Sequence, residues 1–328
     1  MSAYHPAPYT KQSLVLLLFV VGVAAAAQPA DDTPTVPKTL RVITYNIHGG
    51  DPVTPTDQSK AALRTACEGN TESRLLASAL EKLKPDIVAL EEAGSKKFVE
   101  QLAKEMDMDW AYFPGGWQDP ERGWPEGIPT AILSRLPIKH RQNCPLALAP
   151  QRPKDLFTRG YGRIRVALGD QRLAVYVAHL LPSWKNTTQI REGEIAEIAA
   201  AVATETAAGR SVLVMGDMNH DPTTPEYQGW ARGGMIDTFE KKGVGPPLTC
   251  SVTELTERID YVFASGPIAG RTKTVRVLNQ APFNLDADNP ASYALSDHLP
   301  VMAEFEITTH GDSEPGKPAP PEPKSSEQ

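Results

Sequence analysis

The sequence predicts one α/β domain over residues 38–308, and three observations carry that reading. Short, β-branched apolar runs recur along this stretch, each bounded by turn or polar residues, as strands are. Stretches with a helical hydrophobic period lie between them, and strands alternating with helices build α/β domains. Several of the apolar runs also end in Asn, Asp, Glu or His, so the strands would deliver polar groups to one edge.

The strand-like runs, in chain order, cover 40–47, 86–90, 130–134, 173–178, 211–215, 259–263 and 301–307. The first predicted helix spans 71–84. It sets Leu75, Leu76, Ala79, Leu80 and Leu83 on one face, with Asn70 or Thr71 as N-cap and Pro85 as its stop. Ser95 can cap the second, in which Phe98, Leu102 and Met106 fall at every fourth position. The third runs from about 188 to 208 and closes at Gly209. No internal repeat at a solenoid period interrupts this order.

The ends of the chain read differently. Residues 1–30 resemble a signal peptide: Lys11 precedes an apolar run over 13–27 that exits through Ala24, Ala25, Ala26 and Ala27. That run is shorter than the roughly 20 residues a membrane span requires. Export, cleavage, a secreted or periplasmic location and no stable span in the mature protein are therefore expected. Residues 31–37 are a polar linker. Residues 309–328 are rich in Pro, Glu, Lys and Ser, a composition that predicts disorder.

Composition narrows the function classes. Hydrophobic residues make up 41% and charged residues 22% of the 328, as in a soluble protein with a full core. A formal net charge of −7 is a poor footprint for gripping duplex DNA by general electrostatics. Cys67, Cys144 and Cys250 are far apart and lack zinc-ligand spacing, so one disulfide or three small core residues are the readings they allow.

The polar strand ends are the informative feature. The first run leads into Asn46 and His48, the second into Glu91 and Glu92, the fourth into His179, and the fifth into Asp217 and Asn219. Asp260 opens the sixth, and Asp297 and His298 stand just before the last. Burying one such group is costly unless it is paired or ligates a metal, so a set of them implies a shared polar pocket. His48, Asp51 and Asp86 read as turn or cap residues instead.

These segments resemble the endonuclease/exonuclease/phosphatase superfamily. The matching stretches are TYNIH (44–48), PDIVALEE (85–92), TAILSRLPI (130–138), VYVAHL (175–180), VMGDMN (214–219), RIDYVF (258–263) and SDHLPV (296–301), all in family order. The resemblance implies a four-layer α/β sandwich, two mixed β-sheets face to face with helices outside and the active site at one edge. It implies that Glu92 is the metal-ligating acid, with Asn46 as its amide partner near metal and phosphate and Asp297 as a further carboxylate. Glu91 stands where the family usually has Gln. Asp217 and Asn219 match the pair that holds the attacking water and phosphate oxygens, Asp260 and His298 the Asp–His dyad, and His179 the donor to a phosphate oxygen or the leaving group. Hard oxygen ligands suit Mg²⁺, with Mn²⁺ or Ca²⁺ as substitutes.

Substrate signals are weaker. Trp110, Tyr112, Phe113, Trp117 and Trp124 crowd one Pro/Gly-rich stretch, and Trp184 follows His179. Such aromatics stack on bases or sugars, dip into lipid, or simply pack a loop onto its domain. Arg152, Lys154, Arg159, Arg163 and Arg165 form a basic stretch, with Lys185 and Arg191 nearby. Arg159 and Arg191, with Trp184, are the candidates for substrate contact. The expectation is a monomeric, exported, metal-dependent hydrolase of a small-molecule, sugar or lipid phosphoester. A secreted endo- or exonuclease is the alternative, which the motifs permit and the acidic charge disfavours. An idle binding module is the third reading, but Glu92, Asp217 and His298 are all present.

Overall fold

The computed structural model describes residues 37–68, 71–115, 128–146, 159–182 and 187–307. The proposed signal peptide, nearly all of the linker, the tail, Trp117, Trp124 and Trp184 lie outside these residues. Two six-stranded mixed sheets form the frame. The first consists of β1 (Thr39–Asn46), β2 (Ile87–Glu91), β3 (Asp109–Phe113), β4 (Thr130–Ser134), β11 (Thr272–Val277) and β12 (Val301–Glu306), ordered β11-β12-β1-β2-β4-β3. The second consists of β5 (His140–Pro145), β6 (Gly160–Leu168), β7 (Gln171–His179), β8 (Ser211–Asp217), β9 (Ile236–Asp237) and β10 (Asp260–Ser265), ordered β5-β6-β7-β8-β10-β9. β1 runs parallel to β2 and β7 parallel to β8, while β10 and β12 return antiparallel.

Side-chain alternation explains the layers. On β7, Leu173, Val175 and Val177 enter the core between the sheets, where they join Val42, Ile132, Met215 and Val262. Ala174, Tyr176 and Ala178 face the other way, into a second core with Ile195, Ile198 and Val202 of helix α4 (Thr188–Ala207). Leu76 and Leu80 of α2 (Glu72–Glu81), with Val99 and Leu102 of α3 (Lys96–Glu105), cover the first sheet. The result is the four-layer α/β sandwich. Thr71 accepts the Arg74 N–H and Ser95 the Phe98 N–H, N-caps worth about 1 kcal/mol each.

Several elements differ from the sequence reading. Trp110, Tyr112 and Phe113 lie on β3 rather than on a loop, and Phe113 is buried between the sheets. α1 (Asp57–Cys67) buries only Ser59, so it carries no apolar stripe to read. α5 (Gln228–Arg232) and α6 (Thr238–Lys242) are five residues each. All three cysteines are free and partly exposed. Among the described residues, no helix is long and apolar enough to cross a membrane.

Candidate active site

The ends of β1, β2, β7 and β8 meet the start of β10 and the turn before β12 at one edge of the sandwich. Asn46, 1% exposed, closes β1. Its side-chain amide donates to Glu92 Oε1 at 3.2 Å and to Asp217 Oδ2 at 3.0 Å, so it joins the two sheets. Its Oδ1 accepts the His48 N–H at 3.0 Å, which orients the amide. Glu92 leaves β2 with φ +47°, a left-handed conformation uncommon for a residue other than glycine. It is half-buried and lines an open cleft of about 420 Å³ with His48, Gly94, Ser95, Ile128 and Pro129. Glu91, by contrast, is fully buried and accepts the Thr44 hydroxyl at 2.9 Å.

The second sheet supplies the rest. His179 stands opposite Asp217 across the parallel β7–β8 pair, with Nε2 3.3 Å from Asp217 Oδ2. Asp217 stands opposite Asp260 across the antiparallel β8–β10 pair. This close approach requires glycine just before Asp217: a Cβ on Gly216 would collide with the Ala178 carbonyl. Asp260 Oδ2 lies 2.9 Å from His298 Nδ1, and His298 Nε2 lies 3.9 Å from Asp217 Oδ2. Asp217, Asp260 and His298 are all buried and each offers a ligand atom within 4.8 Å of the others.

The electrostatics follow from this crowding. Burial, then the neighbouring Asp260, pushes the Asp217 carboxyl up to about 7. Burial, then Asp260, likewise raises Glu91 well above the usual carboxylate range. Burial opposes charge on His298, yet Asp260, with Asp217 and Cys250 adding to it, holds the imidazole well above its ordinary pKa. His179 moves the other way. Burial first, then Arg159 and His298, keep it neutral.

A sequence profile of the Endonuclease/Exonuclease/phosphatase family matches residues 43–298, a span that runs from β1 through His298. The chain belongs to the endonuclease/exonuclease/phosphatase family. Family members are generally hydrolases acting on phosphoester bonds and typically use divalent metals. Solved structures share the fold at low identity. A family protein from Bacteroides thetaiotaomicron is 18% identical over 83% of this chain and 99% of its own, with TM-score 0.59. One from Leptotrichia buccalis is 15% identical over 82% and 100%, with TM-score 0.58. D. rerio TDP2, complexed with single strand DNA product, is 19% identical over 83% and 100%, with TM-score 0.58. No curated protein sequence matches the chain.

Within this family fold, the structure gathers Asn46, Glu92, His179, Asp217, Asp260, Asp297 and His298 at one edge. Asn219 is there too, at φ +51°, with its backbone N–H on Asp217 Oδ1 and its side-chain amide donating to the Leu180 carbonyl. Arg159 is buried close enough to His179 to bias its charge. Arg191 corrects the sequence reading. Its guanidinium is 3% exposed and turned to Glu226, the Leu181 carbonyl and Thr187 Oγ1, so it braces the chain after His179 instead of meeting substrate. Arg163 and Arg165 are likewise turned to Glu205.

Ser296 is the site residue that the sequence reading passed over. Its hydroxyl donates to the Asn46 carbonyl at 2.7 Å and accepts the His298 N–H at 3.2 Å. A serine two residues before a histidine is an available signal, because Ser hydroxyls commonly accept a nearby backbone N–H.

Proposed function

We propose that this chain is an exported, Mg²⁺-dependent phosphoesterase that acts as a monomer on a small-molecule, sugar or lipid phosphoester. The observation that carries the reading is the Asp260–His298 hydrogen bond beside Asp217. With Nδ1–H held by Asp260, the imidazole presents Nε2 toward Asp217. A water bound to that nitrogen is within reach of the Asp217 carboxylate, which orients it for in-line attack. Asp260 makes His298 a strong base, and the form of the site in which Nε2 has lost its proton takes the proton of the water. Neutral His179 donates a hydrogen bond to a phosphate oxygen or the leaving group, and Arg159 places positive charge near it. The Asn46 amide holds Glu92 and Asp217 in register.

The donor set fits a divalent cation. Burial first, and then the neighbouring Asp260, push Asp217 up to about 7, and an added cation relieves the repulsion that adds to burial. Glu92, Asn46 and Asp297 are the residues that would hold it, with Asp217, Asp260 and His298 as the alternative cluster. When bound, it would supply charge stabilisation to the phosphoryl oxygens. Export rests on the apolar run at residues 13–27.

The acidic net charge favours a small or lipid-borne ester over duplex DNA. A panel of phosphoesters assayed with and without EDTA at physiological salt tests this. EDTA-sensitive turnover is expected, with higher kcat/KM on a small or lipid ester than on duplex DNA. Plasmid cleavage that falls steeply with salt, without turnover of the small esters, would instead establish the nuclease reading.

A further inference from the structure

The loop before β10 contains a group that the chemistry above does not use. Thr249 is fully buried, and its Oγ1 accepts two backbone N–H groups, from Ile259 at 3.1 Å and Asp260 at 3.2 Å. Its carbonyl accepts the Leu299 N–H at 2.8 Å. One residue therefore grips the backbone beside both halves of the Asp260–His298 pair. The next residue extends the grip: Cys250 faces His298 across a β-bridge, close enough for the imidazole and the thiol to bias each other's charge. Two residues further on, the Val252 N–H donates to the Asp297 carbonyl at 2.9 Å. Residues 249–252 thus form a clasp across the two chain segments that carry Asp260, Asp297 and His298.

Buried N–H groups must find acceptors, and here the acceptor is a side chain rather than a neighbouring strand. The direction of the Asp260 carboxylate depends on the backbone that these bonds fix. An error of about 1 Å between catalytic groups is enough to lower a rate about 100-fold.

We propose that Thr249, backed by Cys250, is the positioning residue that holds Asp260 and His298 in hydrogen-bonding register. The inference rests on the reading of that pair as the proton-accepting unit. Thr249 touches neither substrate nor metal, so it acts through the pair. Its removal should change kcat and leave KM alone.

The test measures bis(p-nitrophenyl) phosphate hydrolysis with Mg²⁺ on the full chain, beside the NMR signal of the His298 Nδ1 proton. Thr249→Val keeps the shape and deletes the acceptor. It should lower kcat about 10- to 100-fold, hold KM within about two-fold and move the ring-proton signal. Thr249→Ser, which retains the oxygen, should recover most of the rate. In an Asp260→Asn background the valine substitution should add less than about two-fold, because residues acting as one unit are non-additive. Should Thr249→Val fail to fold, Cys250→Ala reads the same clasp without orphaning an amide. It should cost a few-fold in kcat and be rescued by Cys250→Ser. Wild-type kcat and an unmoved ring proton in Thr249→Val, with Asp260→Asn inactive, would overturn the proposal. An equal loss in the Asp260→Asn background, or no effect of Cys250→Ala where Thr249→Val cannot be made, would do the same. Full turnover by Asp260→Asn alone would sink the dyad reading itself, a separate outcome.

Discussion

Two regions of this molecule bury carboxylates, and they treat them in opposite ways. Glu205, near the end of α4, is fully buried and surrounded by Arg163, Arg165 and Arg210 at 2.6–3.1 Å. Burial would raise its pKa, but the three guanidinium groups prevail and hold it below the usual range. At the sandwich edge, Asp217, Asp260 and Glu91 are equally buried, yet what presses on Asp217 and Glu91 is chiefly burial and another carboxylate. The first cluster is complete within the chain. Among the described residues the second lacks such a guanidinium shell, and on the proposed function charge arriving from outside completes it, as expected of a site that trades stability for function.

Breaking the dyad should give the largest effect. Asp260→Asn or His298→Ala should lower kcat/KM on the order of 10³-fold or more, and the double variant should be little worse than either. Kinetics on the four proteins of that cycle check it; multiplying losses would mean that the two residues act independently.

Next in size is the arginine cluster. Glu205→Gln leaves three half-buried guanidinium groups short of a counter-charge and should cost about 3 kcal/mol of stability, with activity retained. Chemical denaturation reads the loss. Comparable stability with impaired turnover would place Glu205 in the wrong category.

His220 sharpens the comparison, because it is a buried titratable group whose side-chain hydrogen-bond partner, Trp230, is neutral and whose charged neighbours Glu226 and Arg191 oppose one another. Its Nε2 accepts the Trp230 N–H at 2.9 Å, and burial depresses its pKa to about 4. The unfolded chain binds that proton near the ordinary value of 6.5, so stability should fall as pH drops from about 6.5 toward 4. The loss attributable to His220 is about 3 kcal/mol at most. His220→Gln should flatten this part of the stability–pH curve, and an unchanged slope would refute the assignment.

The smallest expected change in stability has the opposite sign to that of Glu205→Gln. Asp217→Asn removes like-charge repulsion and should stabilise the protein in EDTA by about 1 kcal/mol while abolishing turnover. A melting temperature below that of wild type would show that Asp217 is compensated within the chain after all.

How much of this was legible in the sequence depends on where each signal lies. Strands β1, β2, β4, β7, β8, β10 and β12 carry continuous apolar runs because both faces are covered, and sequence reading finds them. β5 is a largely exposed edge strand of His, Arg, Gln and Asn, and it has no hydrophobic pattern to find. On β6, Arg163 and Arg165 read as a basic patch because their partner, Glu205, lies some 40 residues away on α4. The same distance problem hid Arg191, whose partner Glu226 is 35 residues on. The polar residues at strand ends were legible because secondary structure alone brings them to one edge. Thr249 was not, and Ser296 only in its local bond to the His298 N–H, because the Thr249 bonds and the Ser296–Asn46 bond join segments that only the tertiary fold brings together.

The contrast between a completed and an uncompleted carboxylate cluster is tested most directly by calorimetric titration of Mg²⁺ into the wild-type protein and its Glu92→Gln and Glu91→Gln variants. The account predicts saturable binding to wild type and to Glu91→Gln, and none to Glu92→Gln. No binding to wild type, or undiminished affinity in Glu92→Gln, would contradict it.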